Sequence, residues 1–133
     1  MDASRYVGIP FKDHGRGPDG VDCWGLVRMV YRNHLDVDLP EYAGDYVSAH
    51  EAREVAALVA GERLGWTPVP IGRERPMDVV LLRVMGHPTH VGVVVEPGVF
   101  LHCLRGMDTV LESYRSAAWR KRLEGFYRWT NSN

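Results

Sequence analysis

The chain lacks a long apolar run, an excess of either charge, a cysteine framework and any internal repeat. Its longest apolar stretches fall far short of the roughly 20 residues a membrane-spanning helix needs, so no membrane segment is expected. The opening residues, M-D-A-S-R-Y, show no basic segment followed by an apolar one. That pattern predicts no signal peptide and synthesis into a cytoplasm. Sixteen Lys and Arg stand against 17 Asp and Glu, a net charge of -1. Such a balance gives no positive field to attract a nucleic acid. Lysine itself is scarce, with only Lys12 and Lys121. Two cysteines, Cys23 and Cys103, cannot form a disulfide framework, so a reactive thiol is a better reading than a structural bridge.

What remains is an ordinary globular composition: 133 residues, 45% hydrophobic and 25% charged. This length predicts one domain, residues 1–133, burying roughly 65–70% of the surface its unfolded chain would expose.

Residues 8–20 are dense in Gly, Pro and Asp and read as loop. A mostly apolar run from Cys23 to Tyr31 follows, with Arg28 and Arg32 as an i,i+4 polar strip, and reads as a largely buried helix. Asp22 stands at its N-cap position. An excursion over Leu35 to Tyr46 leads to a second helix, capped by Ser48 with Glu51 and running to about Leu64. Gly65 to Pro76 reads as loop, and then the pattern turns to β. Strands are expected at Asp78–Val84, His90–Val95, Val99–Leu104, Thr109–Ser113 and Gly125–Trp129, with a short basic helix around Ala117–Leu123. Helices first and strands joined by short turns afterwards predict an α+β fold with a mainly antiparallel sheet of about four to six strands.

Cys23 opens the first helix directly after the Gly-rich loop. The free N–H groups and positive dipole end of a helix start favour a thiolate, which is the nucleophilic form. The same N–H groups can hold an oxyanion, and Gly25 allows close backbone approach. Against this, a buried cysteine is more often inert core. A base would come from His90. On a strand His90, Gly92 and Val94 share one face and Val91, Val93 and Val95 the other. The valines are core, which leaves His90 to meet a helix packed on its own face. A base needs an orienter, and His102 lies on the next strand. A strict two-residue Pro97-Gly98 turn would set the two imidazoles on opposite faces; an odd loop or a bulge would set them on the same one. Both registers are compatible with the sequence. Cys103 must face away from His102 and reads as small core. No short metal-ligand spacing links the Cys and His residues, so no metal is expected. His14 and Asp13 read as exposed loop, and His87-Pro88 as the turn before His90.

The segments G-I-P-F … G-P-D-G-V-D-C-W-G-L-V and H-V-G-V-V-V … F-L-H resemble the two signatures of the NlpC-type cell-wall peptidases, small papain-like cysteine hydrolases. The stretch D-C-W-G-L-V-R-M-V-Y, followed by L-P-E-Y-A-G-D-Y, resembles most the subgroup found in tails of phages and gene transfer agents. The resemblance implies a papain-like fold, with Cys23 as nucleophile, His90 as base and His102 as orienter, and no cofactor. It implies cleavage of peptidoglycan stem peptides between D-γ-glutamyl and the following diamino acid. It further implies other tail-tip or hub proteins as partners, with the protein carried to the cell envelope by a phage-like tail. Phe11 stands where the family usually has Tyr, and Trp24 where it usually has Ser. Phe11, Asp22, Trp24 and Gly25 are therefore the candidates for lining the substrate groove, with Trp24 equally readable as core. Two other expectations stay open: a tail-tip structural module with an idle site, and a protease acting on a tail protein.

Overall fold

In a computed structural model, the structure describes residues 2–39 and 65–130. The expected helix from Ser48 to Leu64 and the end of the excursion, residues 40–46, lie outside the described residues. Helix α1 spans Cys23–Leu35. The Asp22 carboxylate accepts the Gly25 N–H at 2.7 Å, satisfying one of the amides that no intrahelical carbonyl reaches. At the other end Asp36 turns left-handed, and the N–H groups of Asp36 and Val37 both donate to the Tyr31 carbonyl, closing the helix. Leu26, Val27 and Val30 are fully buried, and each such side chain contributes about 1.5–3 kcal/mol.

Two short strands, β1 (Arg16–Gly17) and β2 (Gly20–Val21), form a hairpin within the N-terminal loop. The main sheet contains β3 (Trp66–Val69), β4 (Val79–Val84), β5 (His87–Glu96), β6 (Val99–His102), β7 (Val110–Ser113) and β8 (Leu123–Trp129). Their order is β3-β8-β4-β5-β6-β7, antiparallel throughout. The α+β expectation holds, with α1 packed on one face. That face carries Val79, Leu81, Val91, Val93, Leu101 and Cys103, in one cluster with the apolar side of α1. The opposite face carries Val80, Leu82, Val94 and Phe100, covered by Tyr114 and Trp119 from the segment after β7.

Three local expectations change. Strand β3 falls in the Pro/Gly-rich segment Gly65–Pro76 read as loop, and it contains Pro68. Among the described residues it is an edge strand paired only with β8, and an edge position tolerates a residue without an N–H. The expected helix at Ala117–Leu123 contracts to a single 3-10 turn, Arg120–Arg122. There the Ser116 carbonyl receives the Trp119 and Arg120 N–H groups, and Trp119 drops into the second core cluster. The turn before β5 is Met85-Gly86, both with positive φ, a type I′ geometry suited to a tight hairpin. His87 and Pro88 are already strand.

The β5–β6 hairpin settles the register. Val93 faces Leu101 and Val94 faces Phe100, while Glu96 faces Val99, so Val95 is an extra, bulged residue. That one-residue shift restores same-face pairing for the positions of His90 and His102.

Candidate active site

His90 on β5 and His102 on β6 project from one face of the sheet, and Nε2 of His90 lies 2.8 Å from Nδ1 of His102. Both are buried. The space for this contact comes from Gly92. A Cβ there would fall 2.8 Å from the Leu101 carbonyl oxygen and 3.1 Å from the His102 Cβ. The Phe100 ring stacks on His102 at 4.1 Å. The face is the one opposite α1, so among the described residues His90 meets no helix, where the strand pattern left it free to meet one. Its ring lies against the indole of Trp119, nearly parallel at 5.8 Å.

The pair continues across a third strand. In the β6–β7 register Phe100 faces Glu112 and His102 faces Val110, so His102 and Glu112 share a face. Nε2 of His102 lies 2.7 Å from Oε1 of Glu112, and the Trp119 indole N–H donates to Oε2 of the same carboxylate at 3.2 Å. Glu112 and Trp119 were absent from the sequence reading. The seven residues between β6 and β7 hide the register that would place Glu112. Trp119 sits in a segment whose pattern suggested only a basic surface helix.

Cys23 begins α1 and is 8% exposed. The N–H groups of Val91 and Trp24 are directed at its sulfur, so the thiol meets the backbone of β5 one residue from His90. The helix start does not dominate its acidity. Burial pushes the thiol up to about 12, and the Asp22 carboxylate adds to the rise, while the two N–H groups and Arg16 oppose it. Burial also holds His90 well below its usual 6.5, helped by His102. His102 is lowered as well, by burial, with Glu112 pulling the other way. Burial thus acts on the thiol and on both imidazoles toward their neutral forms, against the thiolate expected from the helix dipole alone.

The four groove candidates separate. Trp24 is 1% exposed and packs edge-on against Trp66 at 6.2 Å, so it is core and does not wall a groove. Asp22 is buried as the helix cap and is paired with Arg16 at 2.7 Å. Gly25 is buried where a Cβ would fall 2.0 Å from the Gly15 carbonyl oxygen; it lets the preceding loop press onto the first helical turn. Phe11 is half-buried beside the core, with the Arg105 guanidinium 5.3 Å from its ring. Cys103 is fully buried on the α1 face. His14 and Asp13 are exposed, and Asp13 pairs with Arg105.

A cysteine opening a buried helix, packed on an antiparallel sheet that carries a histidine pair, defines the class: a papain-like α+β fold. The chain matches the NlpC/P60 family over residues 8–128 and belongs to that family. It is 25% identical over 117 residues to the murein DD-endopeptidase MepS/murein LD-carboxypeptidase of Escherichia coli K12, covering 88% of this chain and 54% of the relative. It is 26% identical over 134 residues to the gamma-DL-glutamyl hydrolase of Bacillus subtilis, covering 98% and 29%. The chain thus spans about half the length of the first of these relatives and less of the second. Among solved structures, the NlpC/p60 domain of the peptidoglycan hydrolase SagA superposes with a TM-score of 0.64 at 22% identity, covering 92% of this chain and 88% of that one. A lipoprotein-like NLP/P60 family protein of Staphylococcus aureus superposes with a TM-score of 0.67 at 20% identity, covering 96% and 39%. At these identities the structures speak for the fold.

Proposed function

We propose that the protein is a cysteine endopeptidase acting on peptidoglycan stem peptides, with Cys23 as nucleophile, His90 as general base and His102 as its orienter. The observation that carries this reading is the 2.8 Å His90–His102 contact, one residue along β5 from the Val91 amide that faces the Cys23 sulfur. Family membership supports the class of chemistry. The names of the relatives, a murein endopeptidase and a gamma-DL-glutamyl hydrolase, support the substrate. The bond is the one between D-γ-glutamyl and the following diamino acid.

In the mechanism His90 takes the thiol proton, and the thiolate attacks the stem-peptide carbonyl. From the neutral forms that burial favours, this transfer creates an ion pair in a buried site, and docking of the polar substrate assists it. The Gly25 N–H is committed to the Asp22 cap and the Trp24 N–H to the Cys23 sulfur, so the Cys23 amide is the oxyanion donor this turn offers. His90 then protonates the leaving amine. Water, deprotonated by His90, attacks the acyl-enzyme, releasing the carboxylate and regenerating the thiol. No step calls for a cofactor.

The deployment we propose is at the tip of a phage-like tail, among other tail proteins; its support is the D-C-W-G-L-V-R-M-V-Y stretch. A second reading, a tail module with an idle papain-like site, is favoured by one observation: the Cys23 thiol is buried, 8% exposed.

Incubation with purified muropeptides, with Cys23→Ala as control, tests the enzyme reading. Expected is a new amine terminus on the diamino acid. No product above the control would remove the wall-hydrolase function and favour the idle module. Mass spectrometry of purified particles tests the deployment.

A further inference from the structure

We propose that Glu112 is a positioning residue that acts through His102: its carboxylate selects the tautomers of both imidazoles, so that the basic, unprotonated nitrogen of His90 is Nδ1. This deepens the hydrolase reading and rests on it for its catalytic consequence.

The argument is one of donors and acceptors. An ionised carboxylate can only accept hydrogen bonds. Glu112 uses both oxygens, Oε2 toward the Trp119 N–H at 3.2 Å and Oε1 toward His102 Nε2 at 2.7 Å. His102 must therefore carry a proton on Nε2. A neutral imidazole has one donor nitrogen and one acceptor nitrogen, so its Nδ1 is a lone pair. That lone pair lies 2.8 Å from Nε2 of His90, which must then be the donor. With its proton on Nε2, His90 has its basic lone pair on Nδ1. One acceptor on the edge strand β7 thus fixes two proton positions on β6 and β5.

The relay also fits the reaction. When His90 Nδ1 receives the thiol proton, Nε2–H still donates to His102, and the positive charge forms on a chain that ends in a carboxylate. No proton has to move from His102 to Glu112. Trp119 holds both ends, because its N–H pins the carboxylate while its ring lies on His90. The other hydrogen-bonding capacity of Glu112 lies toward solvent, since its side chain is 34% exposed.

The test is Glu112→Gln, which keeps the shape but has a single acceptor oxygen. Trp119 N–H and His102 Nε2–H then compete for it, and the amide NH2 faces the loser. Long-range proton–nitrogen NMR of the 15N-labelled protein at about pH 8, above the histidine range, reads the tautomers directly. The wild type is expected to show protonated Nε2 on both histidines, and Glu112→Gln a shift of both toward protonated Nδ1. Glu112→Asp, which keeps an acceptor-only group, is expected to retain the wild-type pattern. With muropeptide, Glu112→Gln is expected to lower kcat by about 10–100-fold with little change in KM.

A proton on Nδ1 of His102 in the wild type would overturn the proposal, and that measurement needs no variant to fold. So would a Glu112→Gln protein with unchanged tautomers and unchanged kcat. If the tautomers switch but the wild type cleaves no muropeptide, the assignment of Glu112 stands and the hydrolase reading is what fails.

Discussion

Gly92 and His102 sit so close across the β5–β6 hairpin that a Cβ on Gly92 would lie 3.1 Å from the Cβ of His102. Because no side chain stands there, the His102 imidazole can lie across the gap and reach His90 on the diagonal. Gly92 is thus as much part of the site as the rings it separates.

Replacing Gly92 with Ala brings a methyl group within 2.8 Å of the Leu101 carbonyl oxygen and 2.9 Å of the Phe100 ring. The backbone oxygen cannot swing aside, so the strands must part. The expected cost is about 1–3 kcal/mol in urea denaturation. Displacing His102 by even about 1 Å is expected to lower turnover on the order of 100-fold. Wild-type turnover in a folded Gly92→Ala protein would contradict this account of the histidine pair.

Burial and Asp22 push the Cys23 thiol up to about 12. The rate of Cys23 alkylation by iodoacetamide should therefore rise about tenfold per pH unit from about pH 7 to 10, without a plateau. Cys103, fully buried, should react more slowly still. Levelling of the Cys23 rate near pH 8 or below would mean a preformed thiolate.

Asp22→Asn separates the two roles of the capping residue. Asparagine caps a helix about as well as aspartate, but the charge paired with Arg16 is lost, so the fold should persist with a loss of about 1–3 kcal/mol. The charge that raises the thiol disappears, while Arg16, which lowers it, remains. The alkylation profile should move to lower pH. An unmoved profile would assign the whole rise to burial.

The buried histidines and the buried thiol bound stability from opposite sides. His90 is held well below 6.5 and His102 is lowered. As pH falls below about 6.5, the unfolded chain takes protons the folded one refuses, and each histidine removes up to about 1.4 kcal/mol per pH unit. Above the ordinary thiol value of 9.0 the unfolded Cys23 ionises, while the folded thiol stays protonated to about 12, so stability falls again. Denaturation midpoints across pH should trace this dome, and His90→Gln should flatten its acid side. A flat acid side in the wild type would show that the histidines are accessible to protons in the fold.

Part of the site was legible because its signals are local. An N-cap aspartate, an apolar run and a cysteine at the helix start lie within a few residues, as do the valine alternation and His90. The face of the sheet that His90 occupies was legible as the one opposite the valines. What lies over that face was not, because the covering residue is Trp119, almost thirty positions away in a segment of basic character. The groove role suggested for Trp24 failed for a similar reason. Its partner Trp66 comes from β3, a strand hidden within the Pro/Gly-rich segment read as loop.

By itself the sequence determined the helix start at Cys23, the alternation that aims His90 away from Val91 and Val93, and the family signatures. These depend on residues close along the chain, where capping and strand periodicity act. The tertiary structure alone decided that Val95 bulges, that Glu112 ends the histidine relay, and that burial overrides the helix end at the thiol. Each of these depends on register or desolvation, which arise only when distant segments pack.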